Sequence, residues 1–132
     1  MRQLPSLFNI VVCAMIILPL WSAAGYGRTD ETIFQWTAGQ MGAPSDIPMP
    51  QIRWVTRVEI KQVFINNNRK AYLRWETEYG EDRAQAILKV YLDEIVGLFD
   101  PPSNIVYVGS FLDACHRQAI LAHEFTHYLQ HT

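Results

Sequence analysis

The hydrophobic and polar positions after residue 28 alternate between helical and extended patterns. Apolar side chains with a helical period, preceded by Thr29 and Asp30 as candidate caps, predict a short helix over residues 29–40. Two clusters of glycine and proline then predict a loop over 41–50. The next five residues, 51–55, combine β-branched and aromatic side chains and predict a short strand.

The middle of the chain has the pattern of charged helices. Thr56 and Glu59 form a capping-box pattern, which predicts a helix over 58–65 that the following run of asparagines ends. Residues 71–94 predict a mostly helical stretch interrupted near Gly80. Its buried side is expected to consist of the following apolar residues: Ala86, Leu88, Val90, Tyr91 and Leu92.

The last third of the chain has the clearest strand pattern. Residues 95–99 and 105–108 are apolar runs separated by a turn-forming segment that contains two prolines, so they predict a β-hairpin. Ser110 with Asp113 is typical of a helix start, and the final helix is predicted to run to about Gln130. Together these elements predict one small α+β domain with helices, a short β-hairpin or sheet and a C-terminal helix.

The N-terminus has the pattern of an export signal. Arg2 provides a short positive region, an apolar stretch over 7–20 follows, and small residues over 22–25 suit a signal-peptidase site after Ala24. A retained membrane anchor is the alternative, and the apolar stretch is short for a bilayer span. The pattern therefore predicts a signal peptide over 1–24 and a secreted or periplasmic domain over 25–132 that has no membrane association after cleavage.

Charge and cysteine content restrict the classes of partner that we expect for this chain. The whole chain has a formal net charge of -2, and no run of lysine or arginine occurs in it, which argues against nucleic acid as a partner. Cys13 lies inside the predicted signal, so Cys115 would be the sole cysteine of the exported domain. We expect Cys115 to be a buried structural thiol, with a disulfide to another chain as the alternative.

Residues 123–127 read His-Glu-Phe-Thr-His, within a segment free of glycine and proline. On a helix, His123 and His127 lie on one face about 6 Å apart along the axis, so their imidazoles can converge on one tetrahedral zinc ion. Glu124 is rotated by about 100° from His123 and suits the role of general base for a zinc-bound water. The alternative is a partly solvated helix face that carries two histidines.

The opposite face of the same helix is apolar, as a helix that packs on a core requires. Its members are Leu121, Phe125, Tyr128 and Leu129.

Over roughly residues 95–131 the chain resembles small exported gluzincin-like zincins of bacteria, which are zinc metallopeptidases. The resemblance rests on the apolar stretch 105–108 followed by the motif-bearing segment 121–130. It implies a zincin-like domain with a C-terminal active-site helix, Zn²⁺ as the cofactor, and a peptide or protein substrate. Zincins place the substrate backbone along an edge strand beside the zinc, and 105–108 is the candidate for that strand.

The motif supplies two ligands, whereas a catalytic zinc has three protein ligands and a water. In gluzincins the third is a glutamate on a later helix, so we expect this chain to be a truncated family member or a gene fragment. His116 and His131 lie too far along a straight helix to join His123 and His127 on one ion, and both are expected to be solvated or to line a cleft. The upstream carboxylates left open as candidates are Glu59, Glu76, Glu78, Asp93, Glu94, Asp100 and Asp113, with Glu59 and Asp100 assigned to a cap and a turn.

Two functions follow from the sequence. The first is a zinc-dependent peptidase outside the cytoplasm, in which Glu124 takes a proton from the attacking water, with Tyr107, Tyr128 or His116 as candidates to stabilise the oxyanion. Tyr128 is the candidate expected instead to lie in the core. The second is a non-catalytic, degenerate zincin-like domain that binds zinc or a peptide and lacks the third metal ligand.

Overall fold

The computed structural model describes residues 29–132, so the predicted signal peptide over 1–24 lies outside the described residues. This part of the chain has five helices and one three-stranded sheet, which confirms the α+β class. The elements are α1 (Asp30–Gln40), β1 (Gln51–Val55), α2 (Arg57–Asn67), α3 (Arg69–Tyr79), α4 (Glu81–Glu94), β2 (Gly97–Asp100), β3 (Ile105–Gly109) and α5 (Ala114–His131).

Side-chain caps set the starts of three helices. The Thr29 hydroxyl accepts a hydrogen bond from the Thr32 amide at the start of α1. The capping box predicted at Thr56 and Glu59 is confirmed, because each side chain accepts a hydrogen bond from the other residue's backbone N–H. The last helix begins after Asp113, and Ser110 lies ahead of it.

The interruption predicted near Gly80 separates α3 from α4, and Gly80 adopts a φ of 83° that favours glycine. The buried side predicted for this stretch is wrong for Ala86, Val90 and Tyr91, which are exposed, whereas Leu88 and Leu92 are half-buried. Ala84 is the buried residue of α4, whereas Val90 is 64% exposed and Tyr91 is 40% exposed. The reason is that α4 packs mainly against α3, so the sheet does not cover its apolar stripe.

The predicted hairpin is confirmed, since β2 pairs antiparallel with β3. β1 then pairs parallel with the other side of β3, which gives the strand order β1-β3-β2. The prediction that 105–108 forms an edge strand is therefore wrong, because both sides of β3 are hydrogen-bonded. Among the described residues, β2 is the edge strand that lies on the side of α5 where the histidines are found.

The core lies between the sheet, α1 and α5. Phe34 of α1 meets Phe125 of α5 edge-to-face, with ring centroids 5.2 Å apart. Tyr128 is buried, and its hydroxyl donates a hydrogen bond to the Pro48 carbonyl at 2.6 Å. The apolar face predicted for the last helix is confirmed for its buried members, and Leu129 packs against them half-buried.

No helix within residues 29–132 is both long enough and apolar enough to cross a membrane.

Candidate metal and catalytic site

The helix α5 carries both motif histidines. Asp113 caps it by accepting a hydrogen bond from the His116 amide at 2.9 Å, and the helix then continues without a break to His131. The sheet and α1 cover its apolar face, so its orientation is set by packing on two sides. The opposite face carries His123 and His127 beside the edge strand β2.

The two motif imidazoles converge, as the spacing predicts. The Nε2 atoms of His123 and His127 are 3.0 Å apart, and the ring planes are nearly perpendicular at 85°. Two nitrogens that share a tetrahedral zinc, each about 2.0–2.1 Å from it, are about 3.3 Å apart. The arrangement thus comes within a few tenths of an ångström of the separation that a shared ion requires.

The electrostatic environment of His123 favours the neutral ring. Burial lowers the pKa of His123 below its usual range, and the neighbouring His127 lowers it further. A metal ligand must be the neutral imidazole, so the fold favours the form of His123 that a metal ion could bind. His127 is exposed to solvent and borders the cavity described below.

Glu124 lies beside the histidines but is almost completely enclosed. It is 5% exposed, and burial raises its pKa to about 8, while a hydrogen bond from the Phe99 backbone N–H acts in the opposite direction. A carboxyl group in this position keeps its proton at neutral pH unless a positive charge approaches. A bound cation would lower its pKa and return it to the carboxylate form.

Gly97 permits this enclosure, and sequence reasoning had not identified it. A Cβ atom at Gly97 would lie 2.3 Å from Cγ2 of Ile120 and 2.8 Å from Oε1 of Glu124, so a side chain there would force β2 and α5 apart. The available signal was a glycine inside a predicted strand, which often marks the close approach of another element.

A cavity of about 790 Å³ opens beside the motif. His123, Glu124 and His127 form one part of its wall, and β2 forms another. Cys115 also lines it, near the start of α5. The prediction that Cys115 is buried is wrong, because this thiol is exposed on the helix face that borders the cavity.

The upstream carboxylates are mostly engaged elsewhere. Glu59 belongs to the capping box and Asp113 to the α5 cap, as their positions in the sequence suggest. Asp100 accepts a hydrogen bond from Ser103 in the turn after β2, and Asp93 pairs with Lys89 on α4. Among the described residues, no three side chains of His, Cys, Asp or Glu are grouped closely enough to hold a metal ion.

Of those candidates, Glu94 borders the same cavity as the two histidines. Glu76 and Glu78 lie on α3, away from the cavity wall.

The remaining histidines and tyrosines take other places. His116 is exposed and pairs with Asp113, and His131 is exposed at the end of α5 where it lines the cavity and contacts the Phe99 ring. The Tyr128 hydroxyl is used in the core, as expected. Tyr107, Tyr128 and His116, the candidates for stabilising an oxyanion, all lie outside the set of residues that line the cavity.

Comparisons with protein-family models, curated proteins and solved structures find no match to this chain.

Proposed function

We propose that this chain is a zinc-dependent peptidase of the gluzincin-like zincin type that acts outside the cytoplasm. His123 and His127 are its metal ligands, and Glu124 is its general base. The observation that carries the proposal is the convergence of the two Nε2 atoms, 3.0 Å apart, beside a buried carboxyl group on the wall of one cavity. The export part of the proposal rests on the N-terminal sequence pattern.

Two of the three motif residues, together with the environment of the third, support the proposal of a bound divalent cation. His123 is held neutral, and Glu124 is a buried acid with one backbone donor, so a nearby positive charge would stabilise its carboxylate. When bound, zinc would polarise a peptide carbonyl and make water a stronger acid.

In this proposal Glu124 moves the proton. As a carboxylate it accepts a proton from the attacking water and delivers it to the amine that leaves when the peptide bond breaks. Glu124 is 5% exposed and packs against Gly97 of β2, and the Phe99 backbone N–H donates a hydrogen bond to its carboxyl group.

The edge strand β2 gives an extended substrate a place to bind. Within the described part of the chain its second side is not paired with another strand, and Gly97, Leu98 and Phe99 border the cavity that the motif residues line. A peptide that lies in the cavity along β2 would have its backbone near Glu124. This assigns to β2 the role that the sequence resemblance suggested for residues 105–108.

A second candidate is a non-catalytic exported domain that binds zinc or a peptide. The observation that favours it is that the described residues contain no group of three metal-binding side chains. A site with two histidine ligands would hold zinc weakly and would turn over little substrate.

The variant Glu124→Gln separates the two candidates. The amide keeps the size of the side chain but cannot accept the proton, so a peptidase loses at least about 10²-fold in turnover while its zinc content stays the same. Glu78→Gln, an exposed carboxyl away from the cavity, is the matched control.

The measurement is chelator-sensitive cleavage of a mixed peptide pool by the wild type and both variants. Equal, non-zero rates in the wild type and Glu124→Gln would remove Glu124 from the role of base. Zero rates in all three proteins, with zinc bound, would establish the non-catalytic alternative.

A further inference from the structure

The cavity extends well beyond the three motif residues, and its remaining wall is strongly apolar. We propose that this apolar part is a subsite for one bulky aromatic or aliphatic side chain of the bound peptide. Its location next to a scissile bond rests on the proposed peptidase function, whereas its preference for apolar groups rests on the cavity wall alone. The wall residues that carry the argument are Phe64, Tyr91, Leu98, Phe99 and Ile120.

A stack of three aromatic rings forms one side of the subsite. Tyr91 of α4 stacks on Phe64 of α2 with ring centroids 5.5 Å apart, and Trp75 of α3 stacks on Tyr91 at 5.7 Å with the ring planes within 6° of parallel. Both Phe64 and Tyr91 border the cavity. Because each ring is held by its neighbours, this wall is rigid and loses little conformational entropy when a ligand packs on it.

This use of Tyr91 also accounts for its exposure. The side chain is 40% exposed although it lies on the apolar stripe of α4. Its ring borders a space that a ligand side chain would fill.

The charges of the wall select against acidic ligands. The described residues that border the cavity include the carboxyl groups of Glu94 and Glu124 and three histidines, but no lysine or arginine. An acidic side chain packed on the apolar wall, away from the two motif histidines, would therefore be desolvated without a lysine or arginine to pair with. A basic side chain would have Glu94 as a partner, which makes it the competing ligand class.

The volume suits a group of substantial size. Sites for whole ligands typically measure about 300–1,000 Å³, so this cavity of about 790 Å³ has room for a bulky side chain together with the adjoining peptide backbone. An alanine side chain would leave most of the apolar wall in contact with water.

Binding can be measured apart from hydrolysis. The probes are blocked pentapeptides, acetyl-Ala-Ala-X-Ala-Ala-amide, in which X is phenylalanine, leucine, alanine, aspartate or lysine. Each peptide is titrated by calorimetry into the purified Glu124→Gln variant, which is used as isolated. This substitution suppresses turnover. We expect the phenylalanine and leucine peptides to bind about tenfold or more tightly than the alanine and aspartate peptides, from the typical gain on burying a large apolar side chain.

Two further substitutions, each combined with Glu124→Gln, test which residues cause the preference for the phenylalanine peptide over the alanine peptide. Tyr91→Ala removes a cavity wall and should abolish most of the discrimination between phenylalanine and alanine. Val90→Ala changes the neighbouring residue, which is 64% exposed and lies outside the cavity wall. This control should preserve the discrimination between the two peptides. Circular dichroism shows whether each variant is folded, and Tyr91→Phe, which keeps the ring, should retain the preference if Tyr91→Ala is unfolded.

Alkylation of Cys115 provides an independent readout. This exposed thiol borders the cavity, so the phenylalanine peptide should slow its reaction with iodoacetamide more than the alanine peptide does, as measured by mass spectrometry of the fragment that contains it.

Three results would each overturn the subsite. The phenylalanine and alanine peptides could bind with equal affinity, the lysine or aspartate peptide could bind most tightly, or no peptide could bind. A full preference that survives in folded Tyr91→Ala would do the same. Apolar preference together with zero hydrolysis by the wild type would leave the subsite standing and remove the peptidase function, so the two proposals fail separately.

Discussion

Gly97 of the edge strand and Glu124 of the motif helix approach so closely that a Cβ atom on Gly97 would lie 2.8 Å from Oε1 of Glu124. The same atom would lie 2.3 Å from Cγ2 of Ile120. This contact brings β2 against the helix face that carries the histidines. It also accounts for the enclosure of Glu124, and therefore for the raised pKa of its carboxyl group.

Replacing Gly97 with alanine should destabilise the protein by about 1–3 kcal/mol, because the new methyl group overlaps Ile120 and forces β2 away from α5. Chemical denaturation measures the change in the free energy of unfolding. Gly39→Ala is the matched control, since no atom lies within 4 Å of the added methyl group. Gly39 lies within α1, so this change should be neutral or stabilising by up to about 1 kcal/mol. Equal effects of the two substitutions would contradict the close packing at Gly97.

The stability of the metal-free protein should depend on pH through Glu124. Its pKa is about 8 when folded, against 4.5 for an unperturbed glutamate, so between these values the folded protein binds more protons than the unfolded chain. The contribution of this group is therefore complete below about pH 4.5 and is lost as the pH rises through 8. We expect the free energy of unfolding to fall with rising pH across this window, by roughly a few kcal/mol in all.

Glu124→Gln should remove this dependence, because the amide does not titrate. Urea unfolding of the wild type and the variant, with chelator present, gives the difference at each pH. His123 has a lowered pKa and acts in the opposite direction, adding stability as the pH rises through its titration range, but it is present in both proteins and largely cancels in the difference. A difference that does not change between pH 5 and 9 would show that Glu124 is not desolvated.

Zinc affinity should depend on His127. His127→Ala leaves His123 as the single imidazole of the pair. We expect zinc affinity to fall by at least about 100-fold, which exceeds the effect of changing a residue that only supports the ligands. His116→Ala is the control, because His116 is an exposed histidine of the same helix that pairs with Asp113. Calorimetric titration with zinc measures both. Wild-type affinity in His127→Ala would place the metal elsewhere.

Export should release a protein that begins near Gly25. N-terminal sequencing of material recovered from outside the cytoplasm tests the expected removal of residues 1–24. An intact Met1 on membrane-bound protein would instead identify the segment as an anchor.

The sequence by itself determined the local elements. The capping box at Thr56 and Glu59, the break at Gly80 and the hairpin before α5 all follow from interactions within a few residues, and such patterns can be read directly. The convergence of His123 and His127 is equally local, since a helix places residues four apart on one face. The buried positions of Leu121, Phe125 and Tyr128 follow from the same period.

Only the tertiary structure decided how these elements meet. β1 pairs with β3 across about fifty residues, and this pairing makes β3 central and leaves β2 at the edge of the described sheet. The periodicity of α4 marks an apolar stripe but does not indicate what covers it. The pattern therefore predicts that Val90 and Tyr91 are buried, whereas both are exposed because α4 packs mainly on α3. The burial of Glu124 depends on Gly97, which lies 27 positions earlier in the chain. Local patterns specify which face of an element is apolar, whereas the partner of that face is set by contacts between residues distant in sequence.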